Sequence, residues 1–226
     1  MNEQILELRY RPNARIIDYR GELAELIAEQ LNLPRWRVSQ DRVDVFDESH
    51  RHRAFVSHRN VGFSVQDSAT SNYFGDKAGQ FLRFVADIEP VGKTWTVLRL
   101  GVRSKFCSPV ELDFEEAVER FNQRYSVLTP QAEEAIAADV EDFGSTLELR
   151  DQHGWFKLQI GPMAEDQLGR FFKDRDEYPD VGIYCDIDYA LTDQEVTVDD
   201  AIRFLRATAQ ASWERRDRLE RMLLAE

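Results

Sequence analysis

The chain has 226 residues, with 29 lysines and arginines against 42 aspartates and glutamates and a formal net charge of −13. Apolar residues at 42% and aromatics at 11% suffice for a packed core, which excludes wholesale disorder. No run approaches the roughly 18 apolar residues of a membrane-spanning helix, the start lacks the apolar stretch of a secretory leader, and two cysteines make no disulfide framework, so a soluble cytoplasmic protein is expected.

Gln4 to Arg11 alternates Leu6, Leu8 and Tyr10 with Glu7, Arg9 and Arg11, the pattern of a half-buried strand that Pro12 and Asn13 end. Helical spacing of Leu23, Leu26, Ile27 and Leu31 predicts a helix from Gly21 to Leu33, closed by Pro34. Val38 to Phe46 reads as one strand, and Arg53 to Ser57 and Val61 to Gln66 as two more joined by a polar turn. A helix from Phe74 to Ile88 turns Phe81, Leu82 and Val85 inward. Pro90 and Gly92 stop it, before the strongest strand, Thr94 to Phe106.

The second half repeats that rhythm. Asp113 stands three residues before Glu116, a capping pattern for a helix with the stripe Phe114, Val118, Phe121 and Tyr125. A shorter helix is expected over Pro130 to Val140, then strands Ser145 to Arg150 and Trp155 to Ile160 about the turn at Asp151 to Gly154. A helix near Ala164 to Phe172 precedes the strand Val181 to Ala190, and Thr197 caps a long terminal helix reaching nearly to Leu224. Both 4–106 and 94–190 then read βα(ββ)αβ, with Thr94 to Phe106 closing one unit and opening the next. That order predicts an α+β fold of two ferredoxin-like halves with mainly antiparallel sheets and a long C-terminal helix. The halves, 1–110 and 111–226, differ in charge: 16 basic and 14 acidic residues in the first, 13 and 28 in the second. Such asymmetry suggests two differently charged surfaces, one of which could meet a polyanion or a basic partner.

The run Arg53-Ala-Phe-Val-Ser-His-Arg-Asn-Val-Gly-Phe-Ser-Val65, followed by a helix and by Trp95-Thr-Val-Leu-Arg-Leu-Gly-Val-Arg103, resembles the core of a sporadically distributed, uncharacterised bacterial protein family of about this length. The family's hallmark is an Arg-x-Gly-x-Arg-like strand, here Arg99, Gly101 and Arg103. Tyr184-Cys-Asp-Ile-Asp188 before the last helix is similar to its C-terminal part. In place of the aromatic and asparagine usual after the second arginine, this chain has Ser104 and Lys105. The resemblance implies a layout and no activity.

Few residues carry chemistry by pattern. Gly92-Lys93-Thr94 is not the end of a phosphate-binding loop, since Asp87 stands where a glycine is needed and a strand follows, so no cofactor is expected. Arg35, Trp36, Arg37, Arg51, His52, Arg53 and Arg59 form an arginine-rich region with an aromatic, suited to a polyanion or acidic partner, and His50 or His52 could supply acid–base chemistry there. Asp186 and Asp188, two apart on a strand, present both carboxylates to one side and could hold Mg²⁺. Leu205, Ala209, Trp213, Leu219 and Leu223 mark an apolar stripe on a terminal helix about 40 Å long, longer than one small sheet needs, and so a candidate interface. The leading expectation is a non-catalytic cytoplasmic adaptor or accessory subunit that contacts another protein or a second copy of itself. An RNA-binding or RNA-processing protein of tandem ferredoxin-like type is the alternative, and a Mg²⁺-dependent hydrolase a third.

Overall fold

A computed structural model describes residues 1–88, 91–125, 134–135, 137, 140–172, 175 and 177–224, the last two as backbone alone. Its elements are β1 (Asn2–Tyr10), α1 (Arg15–Asp18), α2 (Arg20–Leu31), β2 (Arg35–Val38), β3 (Arg42–Phe46), β4 (His52–Ser57), β5 (Asn60–Gln66), α3 (Ser71–Asp87), β6 (Thr94–Pro109), α4 (Phe114–Tyr125), β7 (Ser145–Asp151), β8 (Gly154–Ala164), α5 (Glu165–Phe171), β9 (Val181–Thr197) and α6 (Val198–Leu224). The expected caps form: Asp113 Oδ1 accepts from the Glu116 amide at 2.7 Å and Thr197 Oγ1 from the Asp200 amide at 3.2 Å. The span expected as one strand, Val38 to Phe46, breaks at Ser39 to Asp41. There the Ser39 amide donates to Arg42 O at 2.8 Å and turns the chain back on itself as β2 and β3. The helix expected over Pro130 to Val140 falls largely outside the described residues.

Among the described residues there is one sheet instead of two, nine-stranded and antiparallel, in the order β2-β3-β4-β5-β1-β6-β9-β8-β7. The reason is a limit on edges. In a split βαβ unit the opening strand has a neighbour on each side, but β6 already gives one edge to β1, so a single edge is left for the second half. Strand β9 takes that edge over its whole length, and β8 pairs with β9 rather than with β6. The strand expected both to close one unit and to open another cannot do both.

Helices α2, α3, α4 and α6 cover one face. Leu6, Leu8, Val43, Val45, Val102, Phe81, Leu82 and Leu205 form the main core, continued by Phe106, Ile160, Ile187, Tyr189 and Phe121 toward the β7 end. The length of α6 follows from this sheet. Its first amide, at Val198, donates to Lys93 O at 3.2 Å, Trp213 packs edge-on to Phe106 with ring centroids 5.3 Å apart, and Glu220 accepts from the Ser108 hydroxyl near the far end of β6. The helix therefore runs along the full 16-residue strand. Leu205 and Ala209, expected at an interface, are buried in the chain's own core, and Trp213 and Leu219 pack partly buried against it. The side chain of Leu223 lies outside the described residues. No helix among the described residues is long and apolar enough to cross a membrane.

Candidate functional site: the helix-free face of the sheet

Among the described residues the opposite face is open except at one end, where α5 and Phe172 pack over Cys107 and Tyr184. Strand register aligns its side chains in rows crossing all nine strands. One row runs Arg35, Phe46, Arg53, Ser64, Ile5, Arg103, Asp188, Lys157, Glu148; the next runs Arg37, Asp44, Phe55, Gly62, Glu7, Gly101, Ala190, Trp155, Arg150. Adding the flanking Arg9, Arg42, Arg99, Lys105, Glu3, Asp186 and Glu195, these strand positions hold ten basic side chains against seven acidic. On a protein of net charge −13, these strand positions carry a small excess of cations.

At the centre of the face, β6 and β9 are riveted by ion pairs. Arg103 Nε donates to both Asp186 oxygens at 2.9 and 3.1 Å, with Nη2 on Oδ2 at 2.5 Å, and Arg99 Nη2 reaches both oxygens of Asp188 at 2.6 and 2.7 Å. The Tyr184 hydroxyl donates to Asp186 at 3.1 Å. Burial, reinforced by the Asp186 charge, raises the Tyr184 phenol, and the hydrogen bonds to Asp186 hold the Arg103 guanidinium even more firmly protonated than usual. Lys105 reaches Glu3 at 2.6 Å. Burial would raise the Glu7 carboxyl, but hydrogen bonds from Arg9 and Asn60 and the charges of Arg9 and Arg99 outweigh it, and its pKa falls.

The Arg-x-Gly-x-Arg spacing has a steric reason here. A methyl group at Gly101 would overlap the Arg99 guanidinium, lying 2.6 Å from its Cζ, so glycine lets Arg99 lie flat across the strand toward Asp188. Gly62 does the same for the Phe55 ring, and Arg42 in turn sits 3.8 Å over that ring. Flat side chains over glycines give a shallow, level surface.

The sequence candidates divide on this face. Arg35, Arg37 and Arg53 lie on it. Trp36 points to the opposite side of the edge strand β2, 51% exposed. Arg51 and Arg59 occupy turns at opposite ends of β4, and His52 faces the helices, so the seven residues form no single patch. His50 stacks on Phe46 at 4.5 Å. Asp186 and Asp188 share a face as expected, but each is gripped by an arginine, and among the described residues no three His, Cys, Asp or Glu side chains converge as metal ligands. Burial raises Cys107 to about 11 and, with the Asp186 charge, Cys185 to about 12, so neither supplies a thiolate at neutral pH.

Sequence reasoning missed Trp155. It is 56% exposed on the open face, with the Arg150 guanidinium 5.8 Å from its ring, beside a shallow hollow of about 350 Å³ that Arg99, Lys157, Glu148 and Asp188 also line. A signal was present: Trp155 alternates in phase with Lys157 and Gln159, against the buried Phe156, Leu158 and Ile160. Compared with known proteins, the chain matches no family model and none of the curated proteins.

Proposed function

We propose that the protein is a non-catalytic binding protein that acts through the helix-free face of its sheet, and that its ligand is single-stranded nucleic acid, RNA in particular. The observation that carries this reading is the pairing of an excess of cations with an exposed aromatic on an otherwise acidic protein: Trp155 between Arg150 and Lys157, with Arg37 and Arg53 farther along the same two rows. An open sheet with an exposed ring stacks bases, and basic side chains beside it follow the phosphates. The central arginines are neutralised by their aspartates and hold the platform. The backbone contacts would come from Arg37, Arg53, Arg150 and Lys157, none of which is in an ion pair among the described residues.

Fluorescence anisotropy with a labelled oligo(U) tests this. Four phosphate contacts on a single strand give a salt slope of about −3, so affinity should fall roughly 50-fold between 50 and 200 mM salt. Trp155→Ala, at an exposed site, should leave stability unchanged and weaken binding at least about fivefold. Absence of binding at low salt, or equal binding by Trp155→Ala and Arg37→Glu, would overturn the reading.

A second reading, a protein partner, rests on β2. This edge strand is exposed at all four residues, with Trp36 and Val38 at 51% and 39%, and its unpaired side could accept a strand from a partner. Self-association lost in Val38→Pro would support it; a monomer that retains oligo(U) binding would leave the first reading alone.

A further inference from the structure

At the β7 end of the open face, strand register sets an acceptor beside a donor. Glu148 of β7 stands directly across from Lys157 of β8, one row from Arg150 and Trp155. Asp188, the next residue in the Lys157 row, has both carboxylate oxygens on Arg99 at 2.6 and 2.7 Å. Glu148 and Lys157 have no hydrogen bond or ion pair among the described residues, either with each other or with a neighbour. Of the charged groups lining the hollow of about 350 Å³ beside Trp155, Arg99 and Asp188 therefore satisfy each other, and one carboxylate and one ammonium are left to meet a ligand.

The hollow also limits what that ligand is. The neighbour of Trp155 in its own row is Ala190, whose methyl is too short to screen the indole. The volume stands at the lower end of the roughly 300–1,000 Å³ of small-molecule sites, room for one planar group and not for several. Stacking on a tryptophan tolerates every base, so discrimination has to come from the groups at the edge of the ring. A carboxylate accepts two parallel N–H bonds and an ammonium donates up to three. Side by side they offer acceptor, acceptor and donor. The Watson–Crick edge of guanine is the complement: the N2 amino and N1–H donors beside the O6 acceptor. Adenine and cytosine set an unprotonated ring nitrogen in the middle of that edge, against the carboxylate. Uracil has an N–H there, but a second carbonyl in place of the amino group.

We infer that the hollow at Trp155 is a base-selective subsite for an unpaired guanine. The base stacks on the indole, the Glu148 carboxylate accepts from N1–H and from the N2 amino group, and Lys157 donates to O6 while its other N–H donors reach an adjoining phosphate. No covalent bond forms or breaks. Glu148, which by charge alone repels a phosphate backbone, thereby has a role that backbone contacts do not give it. The inference rests on the nucleic-acid reading and adds to it the base preferred at Trp155, where that reading by itself requires none.

Fluorescence anisotropy of the full chain at low salt, with labelled uracil pentaribonucleotides that differ only in the central base, tests it. A central guanine should bind about fivefold or more tightly than adenine or cytosine, as a bidentate pair discriminates. Hypoxanthine, which lacks the N2 amino group, should fall between. Glu148→Gln, at an exposed position of an edge strand and confirmed folded by an unchanged urea midpoint, should bring guanine down to the level of adenine without weakening adenine itself. Equal affinity for every central base, preference for another base over guanine, or a guanine preference that survives Glu148→Gln would each overturn the subsite while leaving salt-dependent binding of single strands standing. No binding of any oligomer at low salt would overturn the nucleic-acid reading and the subsite with it.

Discussion

Gly101→Ala tests the steric account of the open face. The new methyl would occupy the space of the Arg99 guanidinium, so Arg99 must leave its hydrogen bonds to both Asp188 oxygens, at 2.6 and 2.7 Å. Hydrogen bonds to a charged group contribute about 1.5–3 kcal/mol when protected. With the two side chains 26% and 31% exposed, water replaces part of that, and about 1–2 kcal/mol is lost. Against it, alanine restricts the unfolded chain and returns about 0.4–1 kcal/mol. The net is a destabilisation of up to about 1.6 kcal/mol, at most roughly a 3–6 °C fall in Tm for a chain of this size. The decisive comparison is the same substitution in an Arg99→Ala background. There the obstacle is gone, and Gly101→Ala should turn neutral or stabilising, by up to about 1 kcal/mol. Urea unfolding followed by tryptophan fluorescence measures all four corners of the cycle. A cost that is equal in both backgrounds would refute the reasoning, because the clash would then lie with something other than the guanidinium.

A chain ending at Ser212 should lose cooperative unfolding altogether, since it discards Trp213, packed on Phe106, and Arg215, which holds Asp151; the tryptophan alone is worth about 3–5 kcal/mol. A folded truncated body with only its assembly changed would show that the helix end is an interface after all. Burial would raise the Asp47 carboxyl, but hydrogen bonds from the His52 ring and from backbone amides hold it below its ordinary value of 3.8, so it adds stability above that pH that is lost as pH falls through its folded value. Asp47→Asn should therefore cost about 1 kcal/mol at neutral pH and flatten the acid limb of the stability curve, measured by urea titration from neutral to acid pH. The thiols of Cys107 and Cys185, raised to about 11 and 12, should be silent to a disulfide reagent in the native protein at neutral pH and react in urea, as a colorimetric thiol assay would show.

What the sequence alone determined about this protein is what short-range periodicity and capping encode. The alternation of Leu6, Leu8 and Tyr10 made β1, the stripe through Phe114, Val118 and Phe121 made α4, and Asp113 and Thr197 started their helices where their side chains meet orphan amides. The same alternation put Arg99, Arg103, Asp186 and Asp188 on single faces of their strands. Only the tertiary structure decided that these were partners: Arg103 and Asp186 are 83 residues apart, and their pairing depends on β9 having taken the free edge of β6. That competition for edges also merged two expected sheets into one and made the terminal helix, which looked too long for its own half, match the long strand it covers. Strand order is set by which backbone edges remain unpaired, a property of the assembled sheet that local pattern does not carry.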